Sequence, residues 1–203
     1  MNIALIGATG FIGSRLLAEL GRRDHQVTAI VRNPEKVPAS AGVTARKGDV
    51  FDRDALATLL AGHDAVISAV HFSASDPAVL LAAVKQSGVK RYLVVGGAGS
   101  LEVAPGVKLF DTREFPAIYL DEARKGGAYL ELLKAETALD WSFLSPSALI
   151  EPGARTGKFR LGKDQLLADA NGRSAISAED YAVALVDELE KPAHSRQRFT
   201  VGY

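Results

Sequence analysis

Three glycines spaced three apart, Gly7, Gly10 and Gly13, carry the clearest chemistry in the sequence. They stand in Ile6-Gly7-Ala8-Thr9-Gly10-Phe11-Ile12-Gly13, after the apolar run Ile3–Ile6 and at the start of an amphipathic stretch. A strand that turns sharply into a helix needs its first glycine for the turn. The second lets an anion approach the backbone, and the third lets the helix pack closely on the sheet. The helix start then offers unpaired N–H groups and a partial positive charge to phosphate. The spacing predicts a dinucleotide pyrophosphate site over Gly7, Ala8, Thr9, Gly10, Phe11, Ile12 and Gly13. The next informative position is the tip of the second strand, about 20 residues on, where NAD-binding sites carry an acid for the ribose 2′-hydroxyl. Here the residues are Val31-Arg32-Asn33-Pro34, with no carboxylate. Arg32 suits a 2′-phosphate, so NADP(H) is expected over NAD(H), with Arg15 as a second cation; the plainer reading of Arg32 is a solvated loop charge.

Further along, Ala69-Val70-His71-Phe72-Ser73 and Gly96-Gly97-Ala98-Gly99-Ser100 follow strand-like runs. Loops at strand carboxyl ends form the ligand crevice of an open α/β sheet. Ala69, Val70, His71 and Gly96 are therefore expected to wall the nicotinamide. His71 is a candidate for touching its ribose or protonating a reduced acceptor; an idle loop histidine is the competing reading. Phe110, Phe115 and Tyr119 either roof an aromatic acceptor or anchor a long loop to the core. The four histidines show no paired ligand spacing, so no metal site is expected.

The elements that position these residues follow from periodicity. Short apolar runs at Ile3–Ile6, Val27–Val31, Val43–Lys47, Ala65–Val70, Tyr92–Val95 and Trp141–Leu144 read as buried parallel strands, with Phe199–Val201 as a last one. Between them, Phe11–Arg23 places Ile12, Leu16, Leu17 and Leu20 on one stripe. Asp54–Ala61 and Ala78–Ser87 repeat the pattern before Gly62 and Gly88. A further helix spans about Ile118 to Leu139, interrupted or kinked near Gly126-Gly127, and another spans Ala178–Glu190, capped by Ser177 with Asp180 three residues on. Asp121-Glu122 and Glu188–Glu190 read as solvated helix faces, Trp141 as core. The alternation predicts an α/β, Rossmann-type doubly wound parallel sheet with helices on both faces. One domain is expected over 1–203, with a small irregular C-terminal substrate-side region and substrate-side elements within 97–117 and 145–177.

Twenty-four basic and twenty-four acidic residues give no net charge, which argues against nucleic acid or an anionic membrane as partner. The absence of cysteine excludes disulfides and thiolate catalysis. No run approaches the roughly 18 apolar residues of a membrane span, and no leader pattern precedes Asn2, so a soluble cytoplasmic protein is expected.

The Gly-x-x-Gly-x-x-Gly spacing resembles the extended and atypical short-chain dehydrogenase/reductase superfamily, which includes epimerases and NmrA-like proteins. Gly48-Asp49-Val50 resembles that superfamily's adenine-contacting segment, which implies cofactor contacts for Asp49 and Val50. Ser145-Pro146 stands where Arg-Pro is common. Ile176–Ala182 and Arg198–Tyr203 resemble the group labelled "putative NADH-flavin reductases". Many members reduce carbonyls with a Tyr-x-x-x-Lys pair on one helix face. That pair is missing: Tyr119, Tyr129 and Tyr181 are followed at i+4 by Ala123, Leu133 and Leu185, and Lys134 sits at i+5 from Tyr129. The resemblance leaves Ser100 and Lys134 as candidate catalytic residues, though Ser100 without its tyrosine is expected to bond its own turn. Hydride transfer to a flavin or quinone-like ring needs no such pair. The resemblance thus implies an NAD(P)H-dependent reductase of a small aromatic acceptor, with flavin as a substrate. A non-catalytic NADP(H)-binding redox sensor with a protein partner is the second reading, and a sugar epimerase the third.

Overall fold

The computed structural model describes all 203 residues, Met1–Tyr203. The chain opens with β1 (Asn2–Ile6), α1 (Phe11–Arg22), β2 (Gln26–Val31), β3 (Val43–Lys47), α2 (Arg53–Leu60), β4 (Ala65–Ser68), α3 (Pro77–Ser87) and β5 (Arg91–Val95). It continues with β6 (Glu102–Ala104), β7 (Val107–Lys108), α4 (Leu120–Ala135), β8 (Asp140–Ser145), β9 (Leu149–Glu151), β10 (Arg160–Gly162), β11 (Ala175–Ser177), α5 (Ala178–Glu190) and β12 (Gln197–Gly202). Local chemistry sets the helix ends. The side chains of Asp52, Asp76 and Ser177 accept from backbone N–H groups in the first turns of α2, α3 and α5. Gly88 ends α3 in the left-handed conformation, at φ 81°.

The main sheet has eight strands in the order β10-β12-β8-β5-β4-β1-β2-β3. All its pairings are parallel except β10 with β12. The chain order reverses at β1, which pairs with β2 on one side and β4 on the other. A crevice therefore opens at the carboxyl ends of β1 and β4. Alternating side chains feed two cores. Ile3, Leu5, Ile67, Leu93, Leu144, Phe199 and Val201 pack with Leu16 and Leu20 of α1 and Tyr181 and Leu185 of α5. Ala4, Ile6, Val66, Tyr92, Val94 and Phe143 pack on the other face with α2, α3 and α4. The expected doubly wound sheet with helices on both faces is what forms.

Several expectations are corrected. β3 is the sheet edge and mostly exposed, because nothing pairs with its outer side. α4 runs unbroken through Gly126 and Gly127. A Cβ on Gly126 would lie 2.7 Å from the Phe72 ring, and one on Gly127 would lie 3.1 Å from the Phe110 ring, so these glycines admit rings rather than break the helix. The loop after β5 contains the β6–β7 hairpin, and the C-terminal region expected to be irregular contains β10. These strands of two or three residues are too short for a period-2 pattern. Glu188 is buried rather than solvated, held by Arg91 at 2.9 Å and His194 at 2.7 Å.

Candidate functional site

The glycine turn closes the carboxyl end of β1. Gly7 has φ 83°, and a side chain there would meet the Ala69 carbonyl oxygen at 2.7 Å. A Cβ on Gly13 would overlap the Gly7 carbonyl, so this glycine lets α1 seat against the turn. Gly10 differs: it is exposed, and a Cβ there would have only Gly7 O at 3.3 Å and Ala69 O at 3.8 Å for neighbours. Its side-chain space is open to an approaching group. The backbone N–H groups of Phe11, Ile12 and Gly13 make no bond within the chain. Thr9 and Phe11 are exposed, Ile12 is half-buried and Ala8 is part of the core, leaving its backbone to face the turn. A cradle that a side chain would fill, lined by free amides at a helix start, fits a pyrophosphate.

Arg32 lies just past β2, exposed and without a hydrogen bond or ion pair. Arg46 and Lys47 end the neighbouring β3, in register with Ile30 and Val31, and are likewise exposed and unpaired. The tips of β2 and β3 thus carry three free cations. Arg15 does not join them: its guanidinium lies 4.7 Å above the Phe11 ring and 3.2 Å from Glu179. Asp49 folds its own loop, its carboxylate accepting from the Phe51 N–H at 2.9 Å, and Val50 packs beside the core.

On the β4 side, Ala69 and Val70 press on Gly7. His71 is 81% exposed, with Nδ1 3.3 Å from Glu122 Oε1. Glu122 also accepts the backbone N–H groups of Phe72 at 2.7 Å and Ser73 at 2.8 Å. Burial pushes its carboxyl pKa up, but these donors and His71 outweigh that and hold it below the usual range. By sequence Glu122 is a solvated helix charge; a contact from α4 to a loop some 50 residues earlier carries no local signal. The loop is thereby locked with Phe72 inward, stacked on Phe143 at 6.2 Å and edge-on to Tyr129 at 5.9 Å. Gly96 is required by packing: its Cβ would strike the Phe143 ring and come within 2.6 Å of the Leu144 oxygen.

Ser100 does not bond its own turn; its hydroxyl accepts from Arg198 Nη1 at 3.2 Å. Arg198 is in turn fixed by Asp164 at 2.6 Å. Lys134 stands outside this group. It lies in the last turn of α4, paired with Glu131 at 2.9 Å, beside Glu136, which pairs with Lys85 in the last turn of α3, the helix that leads into β5. That is the amino end of the strands, opposite the glycine turn. Tyr129 turns inward, its hydroxyl 2.5 Å from that of Tyr92. Burial pushes the Tyr92 phenol up to about 12 and raises that of Tyr129, so neither exchanges protons near neutrality. Phe110 is half-buried against α4, Phe115 is half-buried, and Tyr119 is exposed.

A family model described as NAD(P)H-binding matches residues 7–192. The protein YwnB of Bacillus subtilis (strain 168) is 42% identical over 99% of this chain and 98% of its own length. A solved "putative epimerase" from Bacteroides thetaiotaomicron superposes with a TM-score of 0.95 at 45% identity, covering 100% of this chain and 96% of its own. A "putative exported protein" from Burkholderia pseudomallei does so with a TM-score of 0.90 at 47% identity, each chain covered in full at 100%. A "putative NADH-flavin reductase" from Streptococcus pneumoniae has a TM-score of 0.82 at 35% identity, covering 100% of this chain and 99% of its own. No helix is long and apolar enough to cross a membrane.

Proposed function

The chain belongs to the NAD(P)H-binding family of Rossmann oxidoreductases, in the extended short-chain dehydrogenase/reductase group, and from that footing we propose that it is an NADPH-dependent reductase of a flat aromatic acceptor, flavin or quinone. The observation that carries this reading is the absence of a tyrosine–lysine pair at the crevice. The tyrosine nearest a lysine on α4 is buried against Tyr92, and Lys134 sits at the far end of the sheet. Reduction of a ring stacked on the cofactor does without both. The resemblance to a protein named as an NADH-flavin reductase supports the same class.

The free amides of Phe11, Ile12 and Gly13, above the open Gly10, hold the pyrophosphate. Arg32 binds the 2′-phosphate, assisted by the neighbouring Arg46 and Lys47, and Asp49 with Val50 borders the adenine. Ala69, Val70, His71 and Gly96 wall the nicotinamide. When bound, the cofactor supplies a hydride. His71, open to solvent and steadied by Glu122, delivers the accompanying proton to the reduced acceptor. Glu122 keeps the His71–Ser73 loop in place so that the rings meet in a fixed orientation.

A second reading is a non-catalytic NADP(H)-binding redox sensor. Ile118 and Tyr119, 83% and 61% exposed in the turn just before α4, are the surface a protein partner would take. The test is the initial rate of NADPH oxidation, followed at its near-ultraviolet absorbance, with and without FMN, with NADH in parallel and protein-free controls. A saturable, protein-dependent rate that favours NADPH is expected. Binding of NADPH without turnover of FMN or a quinone would transfer the assignment to the sensor.

A further inference from the structure

The inward stripe of α4 runs one turn further than the protein that covers it. Gly126, Tyr129, Leu130 and Leu133 are buried on the side of the helix that faces the sheet. At about 100° per residue, Ile118 and Tyr119 stand in the same column, four and three residues before Glu122. The backbone joins them to it without a break. The turn Ala117–Tyr119 passes straight into α4, with Tyr119 at φ −100°, ψ −2° and Leu120 at φ −65°, ψ −41°. Yet Ile118 is 83% exposed and Tyr119 61%. Two large apolar side chains left in water at the end of an otherwise buried stripe mark a surface that a ligand completes.

The direction of the stripe shows what this overhang covers. Tyr119 comes four residues before Ala123 and seven before Gly126, so it stands above both. Gly126 faces the Phe72 ring of the loop after β4, where an added Cβ would lie 2.7 Å away. Ala123 faces Gly99 of the loop after β5, where an added Cβ would lie 2.7 Å from its own. Glu122 fastens the same turn of α4 to the Phe72 and Ser73 N–H groups. The helix therefore crosses above the gap between the two loops that border the crevice. Ile118 and Tyr119 continue past the carboxyl ends of β4 and β5 towards its mouth, on the side where His71 stands 3.3 Å from Glu122. This lip is acidic. Between 111 and 122 the chain carries Asp111, Glu114, Asp121 and Glu122 against Arg113 alone. The nearby Lys125 is engaged by Asp121 at 2.8 Å. A phosphate-bearing acceptor meets repulsion there, and an uncharged one does not.

From this arrangement we propose that Ile118 and Tyr119 hold the apolar side chain of an uncharged quinone, so that the acceptor is an alkyl-substituted quinone in preference to the phosphate-bearing FMN. The inference rests on the reductase reading, which brings the acceptor to the crevice. The quinone ring lies beside His71, and its alkyl chain leaves the crevice along the overhang. The quinone takes up one hydride and one proton and leaves as the hydroquinone, and NADPH leaves as NADP+, so no further reactant is needed. Ile118 and Tyr119 set specificity and take no part in the transfer at the ring. Their loss is therefore felt in KM and not in kcat.

The test compares decylubiquinone with the same benzoquinone ring bearing hydrogen in place of the decyl chain. Both are measured on the full chain, by NADPH turnover and by calorimetric binding to protein saturated with NADP+. Ile118→Ser combined with Tyr119→Ser should raise KM and Kd for decylubiquinone about tenfold, the worth of a partly covered apolar side chain. The kcat should stay within about twofold, and so should every value for the bare ring. The melting temperature should hold, because both residues are exposed. Leu132→Ser, at an exposed apolar position near the other end of α4, should change nothing. Wild type should show a higher kcat/KM for decylubiquinone than for FMN. An equal loss for the two quinones, no loss for decylubiquinone, the same loss in Leu132→Ser, or FMN as the better substrate each overturns the proposal. If quinones are reduced while the double variant is silent, the overhang is wrong and the reductase reading stands. If decylubiquinone binds with the expected selectivity but no acceptor oxidises NADPH, the overhang stands as a binding surface and the reductase reading falls. If wild type neither binds nor reduces either quinone, the overhang falls, and turnover of FMN alone decides the reductase reading.

Discussion

Replacing Gly10 by alanine separates what the glycine turn does for a ligand from what it does for the fold. The backbone at Gly10 has φ −74° and ψ 176°, which any L-residue adopts. The new methyl would meet only Gly7 O at 3.3 Å and Ala69 O at 3.8 Å, a contact the turn absorbs with a small shift. Losing glycine at a helix N-cap costs a little, and stiffening the unfolded chain returns a similar amount. Stability should therefore change by less than about 1 kcal/mol, or a melting shift under roughly 4 °C for a chain of this size. Cofactor binding should respond far more. The methyl occupies the space above free amides where a phosphate oxygen must come within about 3 Å. Pushing the phosphate away forfeits one charge-assisted hydrogen bond, about 1.5–3 kcal/mol, or roughly a 10- to 150-fold rise in Kd. Calorimetry of NADPH on wild type and Gly10→Ala, beside thermal melts of both, measures the two effects separately. A variant that melts normally and binds NADPH as well as wild type would refute the placement of the pyrophosphate at this turn.

Arg32→Ala should raise the Kd for NADPH about 10- to 100-fold and hardly change that for NADH, because only a 2′-phosphate needs the guanidinium; equal effects on both cofactors would show that the cation serves the fold or the adenine. Glu19, buried with a 2% exposed side chain, pairs with Arg155 at 2.6 Å and Arg23 at 2.8 Å. The hydrogen bond from Arg155 outweighs burial, and with Arg23 it holds the carboxyl down to about 2 against an ordinary 4.5. A depressed carboxylate stabilises above its unfolded pKa, so roughly 3 kcal/mol should be lost as pH falls from about 4.5 towards 2; denaturant midpoints across that window should fall for wild type and flatten in Glu19→Gln. Gly126→Ala should lower the melting temperature, because its methyl would press the Phe72 ring at 2.7 Å, whereas Gly21→Ala, with nothing within 4 Å, should raise it slightly. Both variants melting higher would mean that the Phe72 ring has room to move.

The order of strands and helices through β5, the glycine turn and the capped α5 were legible because their signals are local. Apolar period, a glycine triplet and a Ser-x-x-Asp cap are written within a few residues of where they act. Arg32 was visible for the same reason, as a position counted from that turn. The sequence was silent on the partners that meet across long separations. Glu122 reaching back to Phe72 and Ser73, Arg198 reaching Ser100, and Tyr129 turning in to Tyr92 each join residues 37 to 98 positions apart. Gly126-Gly127 read as a helix break, since propensity cannot register that two rings arrive from elsewhere to fill the space. Lys134 is a candidate by sequence, but α4 runs away from the crevice and carries it to the far end of the sheet. Sequence alone determined where phosphate can approach a backbone, because that depends on neighbours in the chain. Only the packing of α4, β8 and β12 decided which distant side chains meet, because that depends on neighbours in space.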